Sequence, residues 1–363
     1  MKVGILTFPN SVSYGACLQM VALQNAVARM GHQVEIINYH NAYMKAEKHT
    51  DKGNSPLKRA LRRRIRPLMH RRLYAGFRRF ERQHVTHYPT RAFTDKKRLV
   101  ELGQRYDAVI CGSDQVWSPH ITDTDISYFL DFCGDGTKRV AYAPSFGVVT
   151  FPQGFEEKIT PALQQFHALS VREQPGKEMV ERLTGREAAL VTDPTWLVDA
   201  ADWAAMAQPH PAATGDYVLY FVVNQSAKLL QRCKDFARSH GLKVVMVGGN
   251  PLQAAKNKDT MLSYALDVGP EQWLYLMQHA KYVFTNSFHG TAFSVLFERD
   301  LYVEVPGHNG SRLRQVLESF GMEDREIRDG EDLTDTSVDY ERARTVFAQQ
   351  KEQSLTYLKN ALT

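Results

Sequence analysis

The sequence has few cysteines, and none of them belongs to a recognisable motif. The four show neither CxxC spacing nor the Cys and His spacing that binds metal, and they lie at Cys17, Cys111, Cys133 and Cys233. This scatter excludes a disulfide framework and a structural zinc site. Widely spaced free cysteines are typical of a reducing compartment, so we predict a cytoplasmic protein.

Long apolar runs are also missing. No stretch reaches the roughly 18 apolar residues that a membrane span needs, and the apolar run that follows Met1 is too short for a signal peptide. The turn after the first predicted strand, "PNSVSYGA" (9–16), is not a GxGxxG fingerprint and gives no reason to expect a bound dinucleotide. We therefore expect a soluble or peripheral protein.

Positive charge is concentrated in one segment. Residues 45–98 hold 18 Lys/Arg and 4 Asp/Glu, a net charge of +14, whereas the whole chain has +5 and the remainder therefore −9. Apolar residues recur in this segment at nearly helical spacing, which predicts one or two helices, broken near Pro67, with a basic outer face. Two interpretations stay open: a solvated helical face, or a surface that attracts anionic lipid headgroups. Nucleic-acid binding is less favoured because no nucleic-acid-binding module accompanies the charge.

The rest of the chain alternates buried strands with amphipathic helices. A strand at 2–8, a helix at 14–31 and a strand at 32–39 form a βαβ opening, which predicts a parallel sheet. The pattern restarts at residue 217, after the Pro- and Gly-containing segment 206–216. We predict a Rossmann-like domain over 1–205 with a basic helical insert at 45–98, a second Rossmann-like domain over 216–330, and a C-terminal helical extension over 331–363 that could fold back on the first domain.

In the first predicted domain, polar residues follow the strands. Because ligands bind at the carboxyl ends of parallel strands, we expect these residues to lie on a pocket rim. They are Asn10, Tyr14 and Gly15, then Asp114 and Gln115, Ser145, the pair Arg172 and Glu173, and the turn at 193–195. Asp114 has an alternative role as a helix N-cap, and the 193–195 turn is more simply interpreted as structural.

In the second predicted domain, "TNSFHG" (285–290) joins a buried strand to an apolar helix. His289 would lie in the turn, after Asn286, Ser287 and Phe288, and the N–H groups of Gly290 and Thr291 would form an anion site at the start of the helix. The simpler alternative is a turn histidine that hydrogen-bonds the backbone.

Several segments together resemble one family. In chain order they are "SYGACLQMVALQ", "VICGSDQVW", "AYAPSFG", "SVRE", "DPTWLV", "TNSFHGTAFSVLF" and "SRLRQVLESFGMEDR". Their order and intervals resemble those of the polysaccharide pyruvyl transferase family. The resemblance spans residues 3 to about 328 and leaves out mainly the basic insert and the last helix.

The resemblance implies an α/β architecture similar to glycosyltransferase B, in which two Rossmann-like domains face each other across a cleft, with no required metal and no cofactor. It implies transfer of the enolpyruvyl unit of phosphoenolpyruvate, as co-substrate, onto two hydroxyls of a sugar, to give a cyclic ketal. Such acceptors are glycan precursors of surface polysaccharides, often lipid-linked.

The resemblance also implies roles for single residues. His289 matches the family histidine and would protonate the donor, and Arg172 matches the family arginine and would bind a donor anion. Well-described members resemble "RLH" where this chain has Ser287-Phe288-His289. Arg312, at the start of the next predicted helix, could supply the missing cation; alternatively this branch uses another donor, such as a nucleotide sugar, as an ordinary glycosyltransferase would.

Overall fold

The computed structural model describes residues 1–41, 70–88, 90–249, 251–307 and 310–363. Over these residues the chain forms two compact units. The first contains residues 1–41, 81–198 and 349–363, and the second contains 70–80 and 199–348. The helical pattern predicted between residues 57 and 68, with its break near Pro67, lies outside the described residues.

The first unit is built on a parallel sheet. Its elements are β1 (Lys2–Leu6), α1 (Tyr14–Arg29), β2 (Gln33–Ile36), α2 (Arg71–His84, whose residues from Glu81 belong to this unit), α3 (Lys96–Gly103), β3 (Ala108–Cys111), α4 (Pro119–Thr122), β4 (Lys138–Ala141), α5 (Phe155–Gln164), β5 (Ser170–Val171), α6 (Gln174–Thr184) and β6 (Ala189–Leu190). The strand order is β2-β1-β3-β4, and a parallel bridge from Val140 to Ala168 leads to the parallel pair β5 and β6. This Rossmann-like arrangement confirms the predicted parallel α/β fold.

Both faces of this sheet are covered. Alternate residues of β1 and β3 point into two different apolar clusters, because successive side chains of a strand face opposite sides. Val3, Ile5 and Ile110 pack with the residues of α1, whereas Leu6 and Val109 pack with an aromatic group that includes Trp117. Burial on both faces explains why these strands are continuous apolar runs in the sequence.

The second unit also contains a parallel sheet. Its elements are α7 (Ala200–Met206), β7 (Tyr217–Phe221), α8 (Ala227–Ser239), β8 (Lys243–Val247), α9 (Pro251–Lys256), β9 (Leu262–Ala265), α10 (Pro270–His279), β10 (Tyr282–Thr285), α11 (Phe288–Leu296), β11 (Asp300–Val303), α12 (Ser311–Phe320) and α13 (Tyr340–Leu362, whose residues from Gln349 belong to the first unit). The strand order is β11-β10-β7-β8-β9, which is again Rossmann-like. The chain passes between the units at residues 198 and 199, earlier than the linker predicted at 206–216, and the α7 segment therefore belongs to the second unit.

The described half of the basic insert contains a helix, α2. It buries Gly76, Phe77 and Phe80, while its exposed residues include Arg71, Arg72, Arg78, Arg79 and Arg82. A Cβ on Gly76 would lie 2.9 Å from the Gly269 Cα, so glycine is what allows the close approach of α2 to the start of α10. Beside this contact Arg79 forms an ion pair with the buried Glu271 at 3.4 Å. The prediction of a helix with a basic outer face is therefore confirmed for 71–84.

The final helix, α13, returns to the first unit. Leu358 and Leu362 are buried in the same apolar cluster as Val3 and Ile5. The Tyr357 hydroxyl donates to the Ala141 carbonyl at 2.8 Å, and the Thr192 N–H donates to the Ser354 hydroxyl at 3.0 Å. Across the described part of the chain, no helix combines the length and the apolar character that crossing a membrane requires.

Leu358→Ala tests how much the packing of α13 stabilises the first unit. Because Leu358 is fully buried, we expect the substitution to lower the free energy of unfolding by about 2–4 kcal/mol, through lost burial and a residual cavity. Thr356→Ala, at an exposed position of the same helix, is the control and should cost less than about 0.5 kcal/mol. Urea denaturation measures both, and equal effects of the two substitutions would contradict the packing.

Candidate active site

The first unit has its topological switch point between β1 and β3, because the chain leaves β1 toward β2 on one side and toward β3 on the other. Buried polar contacts connect the two strand ends. The Thr7 hydroxyl donates to the Ser113 carbonyl at 3.1 Å, and the Gln19 amide donates to Thr7 Oγ1 at 2.8 Å. The turn that begins at Ser113 is thereby held at the ligand edge of the sheet.

Asp114 lies in this turn with an uncommon backbone conformation. Its φ is +82°, and the Ser145 N–H donates to its carbonyl at 2.9 Å. Its Oδ1 accepts from the Gln115 N–H at 2.8 Å, and its side chain is 21% exposed. The alternative role as a helix N-cap is not supported, since the next helix, α4, starts at Pro119 with Ser118 in the N-cap position. Aspartate tolerates the left-handed region better than most residues, and such conformations cluster at functional sites.

Arg172 is directed into the protein. Its guanidinium is 2.7 Å from Asp193 Oδ2, 3.8 Å from Glu173 Oε2 and 4.0 Å from Asp114 Oδ1, and its side chain is only 3% exposed. Burial alone would lower the pKa of the guanidinium, but the carboxylates of Asp193, Glu173 and Asp114 raise it above its usual value. The sequence had suggested an arginine that presents its charge to a donor anion. The structure instead surrounds that charge with carboxylates.

The carboxylates around Arg172 also accept hydrogen bonds from other residues. Asp193 accepts from the Ser113 hydroxyl at 3.1 Å and from the Thr195 N–H and hydroxyl at 3.0 and 2.8 Å. Glu173 Oε1 accepts from the Ser145 hydroxyl at 2.5 Å, and the Gly147 N–H donates to the same hydroxyl at 3.1 Å. The ends of β3, β4, β5 and β6 thus meet in one polar cluster. Asp193, which the sequence favoured only as part of a structural turn, is the nearest of these three carboxylates to Arg172.

The ends of β1 and β2 carry a second polar group. Asn10 has φ +54°, and its amide donates to Asn38 Oδ1 at 2.8 Å and lies 3.4 Å from His40 Nε2. Asn38 and His40 are not among the residues predicted from the sequence. Their position just after strand β2 is the signal that could have found them. Tyr14 and Gly15 begin α1, four and five residues after Asn10, and burial raises the pKa of the Tyr14 hydroxyl above its usual value.

In the second unit the switch point lies between β7 and β10. Asn286 connects the two strand ends: its Oδ1 accepts from the Val223 N–H at 3.0 Å, and its Nδ2 donates to the Asn224 carbonyl at 2.8 Å. The same amide donates to Glu304 Oε2 at 3.2 Å, and Glu304 also accepts from the Ser226 hydroxyl at 2.6 Å. These contacts position the turn that leads into α11.

His289 follows this turn as the second residue of α11 and is 9% exposed. The helix begins at Phe288, whose ring meets the His289 ring edge-on at 5.2 Å, so the prediction that the helix starts at Gly290 was wrong. The Gly290 N–H donates to the Ser287 hydroxyl at 3.2 Å, and the Thr291 N–H to the Ser287 carbonyl at 2.9 Å. These two N–H groups are therefore used within the helix and do not form the anion site expected from the sequence.

Arg312 lies in the first turn of α12, which follows β11 as α11 follows β10. Since β10 and β11 are neighbours in the sheet and α11 packs on α12, His289 and Arg312 both belong to the ligand edge of the same unit. Within the described residues, no group of three or more His, Cys, Asp or Glu side chains is arranged to hold a metal ion.

The comparison with protein families identifies this chain. The polysaccharide pyruvyl transferase model matches residues 14–299, more than half of the sequence, and this range includes Arg172 and His289. The chain belongs to the polysaccharide pyruvyl transferase family. It is therefore a transferase. No curated protein matches the sequence of this family member.

Two solved structures with folds similar to that of this chain are described as UDP-N-acetylglucosamine 2-epimerases. A Listeria monocytogenes protein described as a UDP-N-acetylglucosamine 2-epimerase has a TM-score of 0.53 at 10% identity, covering 99% of this chain and 91% of its own. The UDP-GlcNAc 2-epimerase from Neisseria meningitidis bound to UDP-GlcNAc has a TM-score of 0.50 at 10% identity, covering 99% and 94%. At such identities the likeness shows the fold alone, which is the glycosyltransferase-B-like type.

Gly290→Ala tests the packing of the first turn of α11, next to His289. A Cβ at this position would lie against Thr285 Oγ1 and 3.1 Å from Phe221 Cδ1. We expect a net loss of about 1–2 kcal/mol in the free energy of unfolding, since overpacking outweighs the better helix propensity of alanine. The additional substitution Thr285→Ala should recover part of it. Denaturation that leaves the Gly290→Ala protein as stable as the wild type would refute the tight contact.

Proposed function

We propose that this transferase moves the enolpyruvyl unit of phosphoenolpyruvate onto a sugar of a glycan precursor in surface polysaccharide synthesis, such as an exopolysaccharide. The observation that carries the proposal is the placement of His289, the residue that matches the family histidine. It lies in the first turn of α11 at the carboxyl end of β10, beside the switch point of its sheet and just after the turn held by Asn286. A nearly buried imidazole at a ligand edge suits a general acid.

The reaction needs an acid at one carbon of the donor. His289 would donate a proton to the methylene carbon of phosphoenolpyruvate, which becomes the methyl group and leaves an oxocarbenium-like carbon. One sugar hydroxyl then attacks that carbon and loses its proton, and a second hydroxyl replaces the phosphate in the same way. The products are a cyclic ketal and inorganic phosphate, with all atoms accounted for.

The donor also needs a cation, since it carries a carboxylate and a phosphate. Arg312 is our candidate because it begins α12 at the ligand edge that also carries His289. Gly310, two residues before it, is closely packed: a Cβ there would lie 2.5 Å from the Pro306 carbonyl oxygen and also against Val305. Other family members resemble "RLH" where this chain has Ser287-Phe288-His289, so this chain has a serine in place of their arginine. In this proposal Arg312 supplies the positive charge of that arginine.

Isothermal titration with phosphoenolpyruvate tests the donor. We expect saturable binding by the wild type, a loss of about tenfold or more in affinity for Arg312→Ala, and wild-type affinity for Arg314→Ala. Arg314 is the matched control because it lies on the same helix but pairs with Glu326 at 2.9 Å. UDP-GlcNAc is titrated in parallel. Binding of the nucleotide sugar alone would replace our proposal with a glycosyltransferase reaction.

His289→Gln tests the acid. With phosphoenolpyruvate and a panel of glycosides as acceptors, we expect release of phosphate to fall by about 10²-fold or more, because glutamine cannot transfer the proton. The thermal unfolding midpoint should change little. A variant that is both inactive and unfolded would indicate instead that the ring is structural.

We further propose that the enzyme works in the cytoplasm at the surface of the inner membrane, where a lipid-linked acceptor would be presented. Support comes from the exposed arginines of α2, in a segment of net charge +14. Each basic residue close to an anionic surface contributes about 1 kcal/mol. The competing interpretation is a basic face that only stays hydrated.

Co-sedimentation with vesicles containing phosphatidylglycerol, at about 0.1 M salt, tests this membrane contact. Replacing Arg71, Arg78 and Arg82 by glutamine should weaken binding by about tenfold or more. The control replaces Lys243, Lys256 and Lys258, which are equally exposed but lie elsewhere. If the wild type does not bind the vesicles, or if the two triple variants bind them with the same affinity, α2 is not a membrane-binding face.

A further inference from the structure

The polar cluster around Arg172 has an excess of carboxyl groups. Asp193, Glu173 and Asp114 lie 2.7, 3.8 and 4.0 Å from the guanidinium, so these three carboxylates and one guanidinium give a formal charge of −2 among the described residues. Phosphoenolpyruvate is itself multiply anionic, and like charges brought together in a partly buried site repel each other. The cluster therefore suits a neutral ligand that offers hydrogen-bond donors.

One carboxylate oxygen of Glu173 lacks a hydrogen-bond donor within the described part of the chain. Its Oε1 accepts from the Ser145 hydroxyl, but its Oε2 is buried and has no hydrogen-bond partner among the described residues. Buried carboxylate oxygens are rarely left in this state, because the lost hydration is costly. A hydroxyl group from a ligand, or a water that it displaces, would supply the donor.

Asp114 is the member of the cluster that faces outward. Its side chain is 21% exposed, and one of its oxygens already accepts from the Gln115 N–H. The Gln115 side chain lies against Gly147, whose φ of +66° and missing Cβ leave room for the amide. A carboxylate and an amide from consecutive residues, both held in place, can accept from and donate to neighbouring hydroxyls.

We propose that this cluster binds the sugar acceptor, with Asp114 and Gln115 holding its hydroxyls, and that the anionic donor is excluded from it. The proposal rests on the proposed function, and it assigns the two substrates to different units. Arg172 then acts as a positioning residue, which holds the carboxylates without touching the donor.

Saturation-transfer NMR with the methyl glycosides of mannose, galactose, glucose and N-acetylglucosamine tests the acceptor site. We expect the wild type to bind at least one of them and Asp114→Asn to bind it about tenfold more weakly or worse. Asp123→Asn is the matched control, since Asp123 is another exposed aspartate with a left-handed backbone, at φ +51°. Asp114→Gly is the second variant, because glycine accepts φ +82° without strain and lacks the carboxylate.

Titration of the same variants with phosphoenolpyruvate shows whether a substitution affects binding of the donor as well as binding of the acceptor. We expect Asp114→Asn to keep the wild-type affinity for the donor. The proposal is overturned if the wild type binds none of the glycosides, if both Asp114 variants bind them normally, or if Asp114→Asn loses the donor. A different result is that the protein binds a glycoside through Asp114 but does not bind phosphoenolpyruvate. That result would support the acceptor site and contradict phosphoenolpyruvate as the donor.

Discussion

The ligand edge of the first unit depends on the buried ion pair between Arg172 and Asp193. The two groups are 2.7 Å apart, and their side chains are 3% and 0% exposed. Ser113 and Thr195 also donate to Asp193, so one carboxylate connects the end of β3 with the ends of β5 and β6. Removing one member of such a pair leaves an uncompensated buried charge, which typically costs about 3–5 kcal/mol. Arg172 therefore organises the strand ends, and Asp114, at the margin of the pair, meets solvent.

The second unit holds its ligand edge by different means. Asn286 uses neutral hydrogen bonds to the backbone at Val223 and Asn224, across the switch point of the sheet. No compensating charge has to be buried for these contacts. The imidazole of His289 and the guanidinium of Arg312 then lie near this edge, where the Glu304 carboxylate already accepts from Ser226 and Asn286. The two units thus offer opposite electrostatic environments, one with excess carboxylates and one with basic groups.

Much of the fold could be predicted from the sequence, because its signals are local. Burial on both faces makes β1, β3, β7 and β10 continuous apolar runs, and the amphipathic pattern of α8 marks a helix between strands. Two predicted boundaries differ from those of the structure, because periodicity marks an element but not the contact that ends it. The sequence placed the start of α11 at Gly290, but Ser287 caps the helix and starts it at Phe288. The chain likewise passes between units at residue 198 and not within the Pro-containing segment 206–216.

The sequence by itself determined the parallel α/β class, the polar residues at the strand ends and the family, because alternation of elements and motif order are properties of the chain. Only the tertiary structure decided what those residues face. Arg172 is next to Glu173 in the chain, yet its closest partner is Asp193, 21 residues later, brought beside it by the parallel pairing of β5 and β6. A side chain of one residue type can bind a ligand or a neighbour, and the folded surroundings alone determine which charge it meets.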